Sequence, residues 1–252
     1  MTVGRVEIAI PTPDGTMRAF RFTPADGQGP WPAVIFFMDG LGIRPALFEM
    51  GERLASNGYV VLMPDMFWRA GPYGPLVVAD VLKDEASRQA SFVRLMATTD
   101  AERSTRDTAA CLDYLGGQTE VAAGPVGVTG YCMGGGIALR AAGMFPDRVA
   151  AAASFHGGML ATDLADSPHL LAPRIKGRVL VAGADEDPYF PADEAVRLKT
   201  ALDAAGVDNE VTIYAGAKHG YAPPDMPVFD HDASERHWRE MLGLFDGMLK
   251  AA

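Results

Sequence analysis

Cysteine is scarce in this 252-residue sequence, where only Cys111 and Cys132 occur. At most one disulfide can form, and no Cys/His spacing has the form of a zinc site, so a disulfide scaffold and a zinc module are both excluded. Positive charge is short as well, with 22 Lys and Arg against 32 Asp and Glu and a formal net charge of −10. Such a balance repels phosphate backbones and anionic lipid unless basic residues cluster, and no cluster occurs. Neither nucleic acid nor a membrane is therefore an expected partner. The longest apolar stretches, such as Ala33 to Met38, end well short of the roughly 20 residues that a membrane span needs. The segment Met1 to Ile10 carries Arg5 and Glu7 and lacks an apolar signal core, which makes a cytoplasmic location the expectation. Internal repeats and low-complexity linkers are missing too, so residues 1–252 read as one domain.

What is present is a globular composition, 48% hydrophobic and 21% charged, in a chain long enough to bury a substantial core. Val3–Ile10 and Met17–Thr23 alternate apolar and polar residues around the turn signal Thr12-Pro13-Asp14-Gly15, which predicts an antiparallel hairpin. Beyond Pro32 the pattern changes to short continuous apolar runs alternating with helical periodicity, the mark of parallel strands covered on both faces. Further strands are predicted at Ala33–Phe37, Tyr59–Met63, Pro125–Thr129, Val149–Phe155, Arg178–Ala182 and Glu210–Tyr214. Helices are predicted at Pro45–Asn57, Ala101–Leu115, Met133–Met144, Pro191–Ala205 and Asp232–Leu249. The fold class is α/β, with a mostly parallel sheet. Two segments, 67–99 and 157–176, break the rhythm just after strand ends, where open α/β sheets place their sites, so they are expected to border or cover one.

One stretch carries chemistry. Val126 to Gly136 runs a buried strand into Gly130-Tyr131-Cys132-Met133-Gly134 and then directly into an apolar helix. This is the context of a nucleophile elbow, in which a sharp strand-to-helix turn exposes the nucleophile and glycines two residues to either side give room for close backbone approach. The helix N-terminus also favours a thiolate at Cys132. The competing reading makes Cys132 a small buried residue between glycines that serve packing. A nucleophile needs a base and the base an orienting acid, in that chain order in elbow enzymes. His219 follows the Glu210–Tyr214 strand and is the expected base. The turn after Arg178–Ala182 offers Asp187, preferred because Pro188 fixes the turn, with Asp185 as its rival. Oxyanion-hole amides are expected from Gly40, after the strand ending near Asp39, and from Met133, next after the nucleophile. Asp39, with Arg69 as a cation beside it, is a candidate for gating or substrate binding, as are Tyr131 and His156. Asp39 as an ordinary turn-former and Arg69 as a surface residue are the alternatives. Phe67, Trp68, Tyr73 and Phe155 either line an apolar acyl cleft or pack in the core. Cys111 falls within a helical pattern and reads as core. No motif calls for a metal or a cofactor.

These residues resemble the dienelactone hydrolase family of α/β-hydrolases. The resemblance rests on Met38-Asp39-Gly40, Pro64-Asp65-Met66-Phe67, the Cys-centred Gly130 to Gly135 elbow, Asp187-Pro188 and His219-Gly220-Tyr221. It implies the α/β-hydrolase fold and hydrolysis of a lactone or ester by a Cys132-Asp187-His219 triad through an acyl-enzyme. It also implies that the carboxylate at Asp39 holds the resting thiol and releases it on substrate binding. Two departures stand out: Asp39 occupies a position where the best-known members have Glu, and Pro223 stands where they carry an arginine that holds the dienelactone carboxylate. The expected substrate is a small ester or lactone, bound by a monomer or small homo-oligomer. Thioester or general carboxylester hydrolysis on the same site, and a non-catalytic ligand-binding or redox-sensing role, are the rival functions.

Overall fold

The computed structural model describes residues 3–74, 76–81 and 83–250. Eight strands form one sheet: β1 (Gly4–Thr12), β2 (Gly15–Thr23), β3 (Ala33–Phe37), β4 (Val60–Pro64), β5 (Val126–Tyr131), β6 (Val149–Phe155), β7 (Arg178–Ala184) and β8 (Asn209–Tyr214). Their order is β1-β2-β4-β3-β5-β6-β7-β8. The β1–β2 hairpin is antiparallel and β2 adds antiparallel to β4, whereas all pairs from β4 to β8 are parallel. Every residue of β3, β4 and β5 is buried, which is why these strands read as continuous rather than alternating apolar runs.

Five longer helices cover the sheet: α1 (Pro45–Ser56), α2 (Ala101–Gly116), α3 (Met133–Met144), α4 (Ala192–Ala204) and α5 (His231–Leu249). Helix α1 buries Ala46, Leu47, Met50, Gly51, Leu54 and Ala55, an apolar stripe at helical spacing. Asp100 and Asp230 cap α2 and α5 by accepting from the N–H groups of Arg103 and Ala233. Helices α1 and α5 lie side by side, joined by the Arg53–Glu235 ion pair and by Arg53 stacked on Trp238. The predicted strands and long helices are all present, with ends shifted by no more than two residues.

The segment 67–99, expected to be irregular, holds a series of short helical pieces: Trp68–Ala70, Val78–Val81, Glu85–Arg88, the wide π-type turn Gln89–Val93, and Arg94–Met96. Residues 85–96 run on as one helical stretch, and the π-type turn in its middle shifts the apolar spacing away from the regular helical period, which is why periodicity does not reveal it. A 3₁₀ stretch, Pro168–Arg174, likewise interrupts 157–176.

The strand order determines where the site falls. The chain leaves β3 through α1 to reach β4 on one side of it, then crosses back through α2 to add β5 on the other side. The loops after β3 and β5 therefore diverge from adjacent strand ends and open a crevice, the topological switch point of an open α/β sheet.

Candidate active site

Cys132 sits in that crevice, between β5 and the first turn of α3. Its backbone is at φ 53°, ψ −116°, a strained conformation for a residue with a side chain. The turn is fixed from three sides, because the Cys132 N–H donates to the Phe155 carbonyl and the Cys132 carbonyl accepts from Gly135 and Gly158. The two glycines of the motif are sterically required. A Cβ on Gly130 would collide with the Gly134 carbonyl, and one on Gly134 with the carbonyls of Phe37 and Met38. Met133 begins α3, so its N–H has no acceptor within the helix.

His219 lies between β8 and α5, where its ring lines the same cavity as Cys132. Its Nδ1 lies 2.7 Å from Oδ2 of Asp187, whose side chain is fully buried. The other carboxylate oxygen of Asp187 accepts the Tyr189 N–H at 2.9 Å, which aims the group at the imidazole. Burial opposes charge on His219, but the hydrogen bond to Asp187 and the neighbouring Cys132 side chain outweigh it, and the imidazole is pushed up to about 10, while Nε2 has no hydrogen-bond partner among the described residues. Asp185, the rival acid, points elsewhere. Its carboxylate accepts the Gly216 N–H at 3.0 Å and its own N–H donates to Ala217, so it ties the loop after β8 to β7. The structure thus brings Cys132, His219 and Asp187 together and separates Asp185 from them.

Asp39, Gly40 and Met133 also line the cavity, which encloses about 520 Å³. Asp39 is 4% exposed, and its partner is not Arg69 but Arg44. Nη1 and Nη2 of Arg44 donate to the two Asp39 oxygens at 2.7 and 2.8 Å, and the Leu41 N–H donates to Oδ1 at 2.9 Å. Arg44 is 2% exposed and continues to Asp225, donating through Nε at 2.6 Å and Nη2 at 3.1 Å. Among the described residues, the hydrogen bonds of Asp39 run to Arg44 and Leu41 and none to the Cys132 thiol. Arg44 and Asp225 had no signal in the sequence, since an arginine before a helix-opening proline reads as an exposed helix terminus.

Arg69 needs correction as a site residue. It donates to Asp14 and to the fully buried Asp107, bracing the β1–β2 turn against α2, and is not part of the cavity wall. Tyr131 is likewise outside it: the ring packs on Phe36 and Phe155, with its hydroxyl 3.2 Å from Nε2 of His237. Of Phe67, Trp68, Tyr73 and Phe155, read as either cleft-lining or core, none is in the wall. Phe67 and Phe155 are core residues, Trp68 donates to Asp107 and Tyr73 donates to Asp65. The wall is formed instead by Phe92 and Met96 from the 67–99 segment, facing Met133 and Ile137 of α3. Phe92 lies directly over Gly40. His156 does reach the cavity. It is 1% exposed at φ 37°, neither ring nitrogen has a hydrogen-bond partner among the described residues, and its ring centroid is 5.3 Å from that of His219. Burial and the neighbouring His219 hold it well below the ordinary histidine range. Cys111 is fully buried, as expected of a packing residue. Among the described residues no group of His, Cys, Asp and Glu is placed to hold a metal ion, and no helix is long and apolar enough to cross a membrane.

A parallel sheet with an antiparallel hairpin at one edge, and a cysteine on a strained strand–helix turn at its switch point, define an α/β-hydrolase. Solved structures agree on the fold. A dienelactone hydrolase-like promiscuous phosphotriesterase from metagenomic libraries superposes with a TM-score of 0.80 at 24% identity, covering 99% of this chain and 100% of that one. A dienelactone hydrolase from Anabaena variabilis gives 0.68 at 19% identity, covering 99% and 100%. A relative in Methylorubrum extorquens, provisionally named a carboxymethylenebutenolidase, is 25% identical over 95% of this chain and 79% of its own length. The chain belongs to the dienelactone hydrolase family, whose sequence profile matches residues 17–249, and it is a hydrolase of that family.

Proposed function

We propose that the protein hydrolyses a carboxylic ester or lactone through a thioester on Cys132. The observation that carries this reading is a strained elbow cysteine that shares one cavity with an imidazole whose far nitrogen is bonded to a buried carboxylate. The Cys132 thiolate attacks the acyl carbon, and its electron pair moves onto the carbonyl oxygen. The N–H groups of Gly40 and Met133 stabilise that oxyanion, each being worth about 10²–10³ in rate. As the intermediate collapses, the alkoxide leaves with a proton from Nε2 of His219. For a lactone the leaving oxygen stays tethered to the acyl group. His219 then takes a proton from water, which attacks the thioester and returns Cys132 as the thiolate, and Asp187 keeps the imidazole oriented through both steps.

In this reading Asp39 acts as an anchor rather than a gate. Both of its oxygens are engaged by Arg44, and its bond to the Leu41 N–H fixes the turn that presents Gly40. His156 offers the substrate a neutral imidazole from the cavity wall. The experiment is mass detection of an acyl adduct on Cys132 after mixing with a library of lactones and aryl esters. An adduct that forms on the wild type, and not on Cys132→Ala, supports the mechanism. Full hydrolysis by Cys132→Ala would overturn it.

A further inference from the structure

The cavity extends well past the reacting atoms. Cys132, Met133, Gly136, Ile137 and Arg140 all line it, a spacing that traces one face of α3 for two turns. At 1.5 Å per residue, Arg140 lies about 12 Å along the helix from Cys132. The wall also includes the apolar residues Met133, Ile137, Phe92, Met96, Met159 and Leu164.

Two arginines reach this cavity, and they differ in their partners. Arg88, half-buried as a residue, is paired with Glu85 through bonds of 2.8 and 3.0 Å. Arg140 is half-buried, and Nη2 donates to the backbone carbonyl of Asp166. No carboxylate lies within ion-pair distance of it among the described residues. Two carboxylates line the same cavity without pairing to Arg140: Asp100 caps α2 and faces Arg103 at 3.5 Å, and Asp166 is an exposed residue. Burial lowers the tendency of Arg140 to hold its proton, and the Asp166 charge only partly offsets this. A guanidinium presents five donors in a planar fork that fits a carboxylate bidentately, and the bond to the Asp166 carbonyl is the one found for Arg140 among the described residues.

We propose that Arg140 receives the anionic end of a long apolar acyl chain, so that the preferred substrate is an ester of an ω-carboxy acid rather than a neutral fatty acyl ester. The assignment rests on the acyl-transfer reading of Cys132 for its catalytic direction, and on the cavity alone for its binding. The chain would lie along α3, with its carbonyl at the Gly40 and Met133 amides and its carboxylate at the Arg140 fork.

The test compares para-nitrophenyl hydrogen decanedioate with para-nitrophenyl decanoate on the wild type, Arg140→Leu and Arg140→Lys. The wild type is expected to favour the half-ester about tenfold in kcat/KM, mainly through KM, the equivalent of one charge-assisted contact in a partly solvated site. Arg140→Leu is expected to lose that preference, and Arg140→Lys to retain part of it. A half-ester preference that is absent from the wild type, or equal in the wild type and Arg140→Leu, overturns the proposal. If the wild type hydrolyses neither ester, the proposed substrate preference fails, and anion binding at the subsite is read separately by calorimetry with free decanedioate on Cys132→Ala and on Cys132→Ala/Arg140→Leu. Binding at least fivefold weaker in the double variant supports an anion subsite at Arg140, and equal binding overturns it.

Discussion

Replacing Arg44 with methionine should be among the most damaging single changes outside the sheet. Arg44 is 2% exposed and makes four hydrogen bonds to carboxylates, two to Asp39 and two to Asp225. The two partners are not equivalent. Asp39 is 4% exposed, so its carboxylate would be left buried without a cation, at a cost of about 3–5 kcal/mol. The Asp225 side chain is 34% exposed, and water screens its share to about 0–1 kcal/mol. Arg44→Met should therefore lose about 3–5 kcal/mol, a large part of a typical domain's 5–15 kcal/mol, while Asp225→Asn loses about 1 kcal/mol or less. Urea unfolding at pH 7, followed by tryptophan fluorescence, reads both as shifts in the midpoint. The kinetic arm is independent of stability. Asp39 holds the Leu41 N–H that shapes the turn at Gly40, so in the fraction of Arg44→Met that stays folded, kcat should fall about 10²-fold, as expected when an oxyanion donor is misplaced. A loss of less than about 1 kcal/mol for Arg44→Met, or a larger loss for Asp225→Asn, would refute the buried-bridge argument. An unchanged kcat would refute its link to the oxyanion turn.

Asp187→Asn should lower kcat by about 10³–10⁴-fold and Asp185→Asn by little, because only the former touches His219. An imidazole NMR titration should show His219 falling from about 10 in both Asp187→Asn and Cys132→Ala, since the Asp187 hydrogen bond and the neighbouring Cys132 side chain raise it. The sign for stability follows from a folded-state value above the unfolded one, which is about 6.5. The stability lost on Asp187→Asn should be full below pH 6.5 and shrink as pH rises toward 10; a loss that grows over that window would contradict the assignment. Gly134→Ala should fail to fold or lose more than about 3 kcal/mol, because backbone carbonyls occupy the Cβ position and cannot rotate away, whereas Gly136→Ala meets only ordinary contacts at 3.6 Å and should cost less than about 1 kcal/mol. Arg69→Met should destabilise by about 3–5 kcal/mol through the unpaired Asp107 and leave kcat and KM unchanged in the folded enzyme; a kinetic effect would return Arg69 to the site.

The sheet was legible because its strands differ in how they are buried. The β1–β2 hairpin is edge structure, so alternation and an Asp-Gly turn reveal it, while β3, β4 and β5 are buried on both faces and appear as unbroken apolar runs. The elbow was legible for a different reason. Gly130 and Gly134 face backbone carbonyls that leave no room for a Cβ, so the residue types themselves report the close approach of β5, α3 and the end of β3. The 67–99 segment had no such marker. Phe92 and Met96 are placed by the π-type turn and the helical turn after it, within the continuous stretch 85–96, and the wide turn breaks the regular spacing that would display a periodic face. The aromatics earlier in that segment looked equally suited to a cleft, yet Phe67 and Tyr73 pack toward Asp65 and the core.

The errors at the site share one physical origin, which is that strand order, not chain order, decides which loops meet. Arg69 follows β4 by five residues and Asp39 follows β3 by two, and both look like residues of strand-end loops. In the sheet, however, β4 is separated from β5 by β3 and pairs on its other side with β2. Its loop is consequently drawn toward the hairpin, where Asp65 N–H donates to the Arg18 carbonyl and Arg69 reaches Asp14. The loops after β3 and β5 stand next to each other, and the cation that serves Asp39 comes from the start of α1, a helix whose N-terminus that same loop feeds. Arg44 then spans to Asp225, 181 residues away in the chain, in the loop that also carries His219. One buried guanidinium therefore ties the turn that presents Gly40 to the loop that presents the proposed base. A lysine at position 44 could neutralise Asp39 but not fork to both carboxylates, so Arg44→Lys should keep much of the stability while loosening the Asp225 contact. Disulfide or cross-link trapping between the two loops should then report greater mobility in Arg44→Lys than in the wild type, and equal trapping rates would show that the bridge stabilises the fold without coupling the loops.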